Sequence, residues 1–318
     1  DKLVTGVQTC ALPISPTRFF NSGKDDPKVE FGPWSSGRRT ALARWITDER
    51  NPLTARVAVN HIWMRHMGAP LVATVFDFGR KGSPPTHPEL LDWMAGEFMR
   101  SGWSMKHLHR LIVTSAAYRM SSAAAGASAN VEKDPDNRLS WRRPSIRLEA
   151  QVVRDAMLSL AGVLDPAMGG APVGAEDQSA STRRSLYFYH SNNERNLFLG
   201  MFDDATVKEC YRREQSIVPQ QALAMSNSRL VLDSARRIAG RLGAEDPGES
   251  LASEDAFVRK AFSVVLGIKA GEAEVAASLK ALGTWRSIGG SAGKAAAIEA
   301  RERLVWALLN HNDFVTLR

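Results

Sequence analysis

From residue 219 to residue 314 the chain carries apolar residues at helical spacing in four successive segments, and this pattern constrains the fold more than any other feature. The segments are PQQALAMSNSRLVLDSARRIAGRLG, SEDAFVRKAFSVVLG, AGEAEVAASLKALG and AGKAAAIEARERLVWALLNHNDF. A strand keeps one face buried only with a period of 2, so a period near 3.6 sustained this far commits the C-terminal third to packed helices. The fold class that follows is mainly α, a multi-helical globular body. The best strand candidate is RRSLYFYH, where Leu186, Phe188 and His190 alternate with Tyr187 and Tyr189, which predicts a small β element near 183–190. NLFLGMF is expected to be its partner strand or a short helix.

The first half is punctuated by proline and glycine. RRTALARWITDER sets Leu42, Trp45 and Ile46 on one helical stripe, which should stop at Asn51 before Pro52. Asn51 then caps PLTARVAVNHIWMRHMG, which ends at Gly68, so two helices meet at a tight corner. A Pro- and Gly-rich loop follows. HPELLDWMAGEFMRSG starts a helix with Pro88 in its first turn and ends at Gly102, and SMKHLHRLIVTSAAYRM places Leu108, Leu111, Ile112 and Ser115 on one face. A further helix after Arg147 repeats Leu148, Val152, Ala156 and Leu160 every four residues and ends at Gly162. The expected organisation is a lead-in over 16–37, an N-terminal helical unit over 38–120, a linker loop over 121–140, and a C-terminal mainly helical unit over 141–315.

The first fifteen residues fit none of this. VTGVQTCALPI, from Val4 to Ile14, is the in-frame translation of a common sequencing-library adapter, so residues 1 to about 15 are expected to be adapter read-through and the rest a fragment. Cys10 then drops out of the native chain and Cys210 is its one cysteine. That excludes an internal disulfide, a four-cysteine zinc site and a CxxCH haem attachment. With 44% hydrophobic and 24% charged residues the remainder suits a well-buried globular body. It has no apolar run of about 18 residues that could span a membrane. A net charge of +7 and a pI near 9.6 favour an acidic surface or anionic polymer as partner, although Arg pairs such as Arg38/Arg39, Arg142/Arg143 and Arg236/Arg237 read mostly as solvated helix faces. The absence of any known nucleic-acid module's signature argues against nucleic acid.

Candidate chemistry is sparse. His61 and Arg65 lie one helical turn apart beside Asn60 and could hold an anion; the competing reading is a half-buried histidine bonded to a loop carbonyl. His61 and His66 are five apart and diverge by roughly 140°, which is no metal code. His107 and His109 point about 200° apart, so at most one faces a given pocket. His87 precedes a helix and reads as structural. Asp77, Phe78 and Gly79 spell the kinase DFG letters, but no glycine-rich loop or HRD segment accompanies them. ECYRREQSIVPQQAL groups Glu209, Arg212, Arg213, Glu214, Gln220 and Gln221, as structural wiring or a polar binding rim, and Cys210 reads as core. The catalytic candidates are His61, Arg65, Asp77, His87 and His107; the binding candidates are Asn60, Arg119, Arg212, Arg213 and Gln220.

Taken in order, NPLTARVAVNHIWMRHMG through YRMSS, DPDNRLSWRRPSIRLEAQVVRDAML, MGGAPV, RRSLYFYH and SIVPQQALAMSNS resemble the planctomycete-specific C-terminal domain called domain of unknown function 1553. The resemblance covers about residues 38–315. Its signature falls on Asn51, Pro52, Asn60, His61, Trp63, Asp77 to Gly79, His87 to Leu90, Gly102, Trp103, His107 to Arg110, Tyr118, Arg119 and Pro219 to Ala222. It implies an exported parent protein, periplasmic or at the cell surface, with a cytochrome-c-like domain upstream; the residues alone give no compartment. Any haem would belong to that upstream portion, and no cofactor or metal is expected in this chain. No catalytic residues come with the resemblance.

Two functions follow as expectations. One is a non-catalytic helical module of an envelope or surface protein that binds sister domains or anionic polysaccharide. The other is a polysaccharide-active hydrolase or oxidoreductase whose pocket gathers His61, Arg65, Asp77, His87 and His107 with Arg212 and Gln220. Convergence of His61, Asp77 and His107 on one pocket would favour the enzyme, and separate packing sites would disfavour it.

Overall fold

The computed structural model describes residues 33–34, 37–51, 53–79, 81–191, 193–205, 219–245, 251–288 and 293–317. The adapter-like residues 1–15, and with them Glu209, Cys210, Arg212, Arg213 and Glu214, lie outside the described residues, as do Pro52 and most of the lead-in. Among the described residues twelve α-helices carry the chain, in two units divided between Pro144 and Ser145. The boundary falls just past the expected linker.

The first unit holds α1 (Arg38–Ile46), α2 (Thr54–Met67), α3 (Pro88–Arg100), α4 (Met105–Thr114) and α5 (Ser128–Lys133). Its core is built from one stripe per helix: Ala55, Val59, Trp63 and Met67 on α2, Leu91, Met94, Ala95 and Phe98 on α3, and Leu108 and Ile112 on α4. Burying each large side chain of this kind contributes about 1.5–3 kcal/mol. The glycine and proline signals act as expected. Gly68 ends α2 with φ 75°, Pro88 opens α3, and Gly102 has φ 68° after α3. Trp103 follows with φ 60°, a left-handed backbone held by packing its ring 5.3 Å from Phe98 and by its N–H on the Phe98 carbonyl.

Several boundaries differ from expectation. α1 gives way at Thr47 rather than Asn51, because Asp48 accepts the Arg50 backbone N–H at 2.9 Å and pairs with its guanidinium at 2.7 Å, closing a turn. That pairing holds the Asp48 carboxyl down at about 2. Asn51 is buried and works on both sides of the corner. Its Nδ2 donates to the Trp45 carbonyl at 3.1 Å, its Oδ1 accepts from the Leu53 N–H at 2.9 Å, and α2 starts at Thr54. The Ser- and Ala-rich linker contains α5, so it is not all loop. On α1, Ala41 is the buried residue while Ile46 is exposed.

The second unit holds α6 (Ala150–Leu160), α7 (Leu197–Met201), α8 (Pro219–Asn227), α9 (Arg229–Glu245), α10 (Leu251–Ala261), α11 (Glu272–Ile288) and α12 (Lys294–Leu309). α12 packs against both α9 and α11 and buries Ala300, Leu304, Val305, Leu308 and Leu309 in the unit's core. After α10 a π-helical turn, Phe262–Leu266, runs to Gly267 at φ 70°. The buried face of α6 is Ala150, Val153 and Met157; Val152, placed on the stripe by sequence, is exposed.

A small β element exists, but the paired strands lie elsewhere. β1 (Ile146–Arg147) and β2 (Thr316–Leu317) pair antiparallel, Ile146 with Leu317 and Arg147 with Thr316, tying the start of this unit to its end. Over 183–190 the chain forms a 3-10 turn, Ser185–Tyr187, flanked by single bridges from Asp165 to Arg183 and from Val173 to Phe188. The alternation there reflects a chain threaded between loops, since Arg154 and Asp155 take the polar groups a neighbouring strand would have taken. NLFLGMF is helical, capped by the Asn196 side chain on the Leu199 N–H.

Candidate functional site

In the first unit Asn60, His61, Asp77, His87 and His107 each have a definable partner. Asn60 is fully buried and its amide clamps Val72: Nδ2 donates to the Val72 carbonyl at 3.1 Å and Oδ1 accepts its N–H at 2.9 Å. His61, one residue on, is half-buried and its Nε2 donates to the Val75 carbonyl at 3.4 Å. Burial lowers its pKa first; the Val75 bond opposes this and the exposed Arg65 adds to it. Asp77 turns its Oδ1 onto the Gly79 N–H at 2.8 Å, and its carbonyl accepts the Thr74 hydroxyl at 2.7 Å. Gly82 closes this loop, where a Cβ would stand 2.2 Å from the Asp77 carbonyl oxygen.

His87 sits at the α3 N-cap, its Nδ1 3.0 Å from the Thr86 hydroxyl. His107 lies 2.9 Å from Glu97, which also pairs with Arg100; Arg100 first and His107 second hold that carboxyl below its usual range. The hydrogen bonds of His61, Asp77 and His107 thus go to three different neighbours. Arg119 and Gln220 are exposed, the latter in the first turn of α8.

The structure brings together a different set. His66 on α2 and His109 on α4, dismissed by angular arguments along their own helices, face each other with Nε2 and Nδ1 2.7 Å apart and rings at 77°. Tyr118 packs edge-on to His66 with centroids 6.0 Å apart, and the Arg143 guanidinium lies 4.0 Å over the Tyr118 ring. Arg143 is 7% exposed, and its Nε and Nη2 are buried without a hydrogen-bond partner. Burial lowers the His66 pKa first, with His109 and Arg143 adding to it. Each helical stripe was legible in the sequence, but the juxtaposition of residues 43 and 77 positions apart from His66 was not.

The second unit has its own polar cluster. Asp204, with 4% of its side chain exposed, accepts the Ala205 N–H at 2.8 Å and the Gln151 amide, and its Oδ2 stands 3.5 Å from His190 Nδ1. Beside it Asp203 has φ 58°, a strained backbone for an aspartate, and its Oδ2 accepts from Gln221, whose Oε1 accepts from Arg147 at 2.5 Å. Elsewhere in this unit a cleft of about 250 Å³ between α9 and α12, lined by Ala239, Gly243, Ala297 and Arg301 among others, is chiefly apolar. Among the described residues no three His, Cys, Asp or Glu side chains are grouped to hold a metal ion, and no helix is long and apolar enough to cross a membrane.

The model of one family, a protein of unknown function (DUF1553, PSD1), matches residues 38–282, more than half of the chain, which therefore belongs to that family. No curated protein and no solved structure matches it.

Proposed function

We propose that this family member is a non-catalytic helical module of a larger exported envelope or surface protein, and that it binds anionic polysaccharide. The observation that supports this most is Arg143: a permanently charged, buried guanidinium with two partnerless donors, near His66 and its partner His109, suits holding an anion. The net charge of +7 adds attraction for an acidic polymer, and exposed Trp93 and Phe76 on the same unit offer ring faces to sugars. The hydrogen bonds of His61, Asp77 and His107 go to separate partners, which supports the module over the enzymatic reading. Sister domains of the parent chain, one of them cytochrome-c-like, are the other proposed partners. The test is retention of the full chain on immobilised polygalacturonate or a sulfated glycan at physiological ionic strength. Elution by a neutral glycan as readily as by salt, or no retention, rejects the reading.

The second reading, a polysaccharide-active hydrolase, is favoured by one observation, the buried Asp204 facing His190 next to strained Asp203. A carboxylate in that position orients an imidazole as acid or base. Release of reducing ends from an acidic polysaccharide, abolished by His190→Gln, would establish it.

A further inference from the structure

Arg143 poses a physical problem. A guanidinium carries a full charge at every accessible pH, and burying it without a counter-charge costs free energy. The Tyr118 ring covers one face of the guanidinium at 4.0 Å, but cation-π contact leaves the N–H edge unsatisfied, and Nε and Nη2 lie on that edge. Among the described residues no carboxylate lies within ion-pair distance of Arg143. The Tyr118 ring, from the turn after α4, lies against it, His66 on α2 is near enough for the two charges to oppose each other, and His109 on α4 bonds to His66.

The histidine pair has a proton count that fits. At 2.7 Å one ring must donate and the other accept, so the neutral pair shares one N–H between the rings and keeps one further proton on an outer nitrogen. Adding a proton gives a cationic pair with both outer nitrogens as donors. Arg143 opposes that proton, and a bound anion would compensate for it.

We propose that Arg143, His66 and His109 form a site for a single oxyanion, the carboxylate or sulfate group of an acidic sugar, held between the guanidinium edge and the imidazole pair and bound with uptake of a proton. This rests on the polymer-binding reading and names its contact point. The permanent positive charge at Arg143 disfavours a divalent metal between the two imidazoles, the obvious other use of such a pair.

The experiment is calorimetric titration of the full chain with inorganic sulfate, with galacturonate as the carboxylate arm and with zinc as the metal arm, each at about pH 5.5 and about pH 7.5. Millimolar sulfate or galacturonate binding that tightens several-fold at the lower pH is expected. Arg143→Lys keeps the charge but loses the planar fork, and should weaken binding at least tenfold. His109 is exposed, so His109→Asn should leave the chain folded, and with His66 alone left to take up the proton the pH dependence should shrink. The proposal is overturned if neither anion binds the unmodified chain, if both variants bind with its strength, or if zinc binds tightly without competition from sulfate. Retention on the acidic polymer undiminished in both variants sinks this site and leaves the module reading intact; sulfate binding without polymer retention does the reverse.

Discussion

The Asn60 side chain makes both hydrogen bonds that the Val72 backbone would make to a neighbouring strand, donating to its carbonyl at 3.1 Å and accepting its N–H at 2.9 Å. All four groups are buried, so α2 fixes the loop that follows it through one amide. Asn60→Leu would leave a buried donor and acceptor unpaired, at about 1–3 kcal/mol each. Asn60→Asp should be worse than its size suggests, because a carboxylate oxygen would face the Val72 carbonyl. Urea unfolding should show the midpoint falling in both variants; unchanged midpoints would mean that the loop reorganises freely.

In the second unit Glu254 is 3% exposed and its Oε1 meets two guanidinium groups, Arg286 at 2.5 Å and Arg301 at 2.9 Å. Arg301 also lies 4.6 Å over the Phe257 ring. Glu254→Gln takes a buried carboxylate from between these two guanidinium groups. Glu254→Gln is expected to cost about 3–5 kcal/mol in thermal or denaturant unfolding. Glu254→Gln combined with Arg286→Met should recover part of that loss, since the charge that Glu254 balances at 2.5 Å goes with it.

Burial lowers the pKa of both His61 and His66. The unfolded chain therefore takes up protons at a higher pH than the folded one, and stability rises with pH across that interval. The contribution is complete above the unfolded value, about 6.5, and is lost as pH falls from there through each folded value. The melting temperature should decline between about pH 7 and about pH 5, before the carboxylates held low by Arg50 and by Arg100 begin to protonate. His61→Gln and His66→Gln together should flatten that decline; a decline of the same size in the double variant would place the proton uptake elsewhere.

The helical character was legible because it depends on spacing within one segment, and Gly68, Pro88 and Gly102 act locally on the backbone they occupy. Which face of α6 goes inward was not, because Ala150 and Met157 carry no stronger signal than Val152 and the choice is made by what packs against them. The pairing of His66 with His109 was not legible for a related reason. An angular argument along α2 separates His61 from His66 correctly, yet says nothing of α4, which brings His109 across. Likewise Arg142 and Arg143 look alike in sequence, and only the fold covers the second one with Tyr118. The strand reading of 183–190 misled because alternation also arises where a chain runs between side-chain donors and a core.

Arg154 is the donor that shapes that stretch, and it yields the most local test. Its guanidinium donates to the carbonyls of Ser181 and, at 3.0 Å, Arg183, and to the Ser185 hydroxyl at 3.2 Å, while the adjacent Asp155 accepts the Ser185 N–H at 2.9 Å. These bonds hold the segment from α6, and the bridge between Val173 and Phe188 depends on it staying there. Arg154→Met would preserve contact with the Phe188 ring, 4.5 Å away, but leave two part-buried carbonyls without this donor, for about 2 kcal/mol. Hydrogen exchange should quicken at the Val173 and Tyr189 amides, which bond to the Tyr187 and Val173 carbonyls, well before the amides of α12 respond. Equal quickening in α12 would mean that Arg154 supports the whole unit rather than this segment.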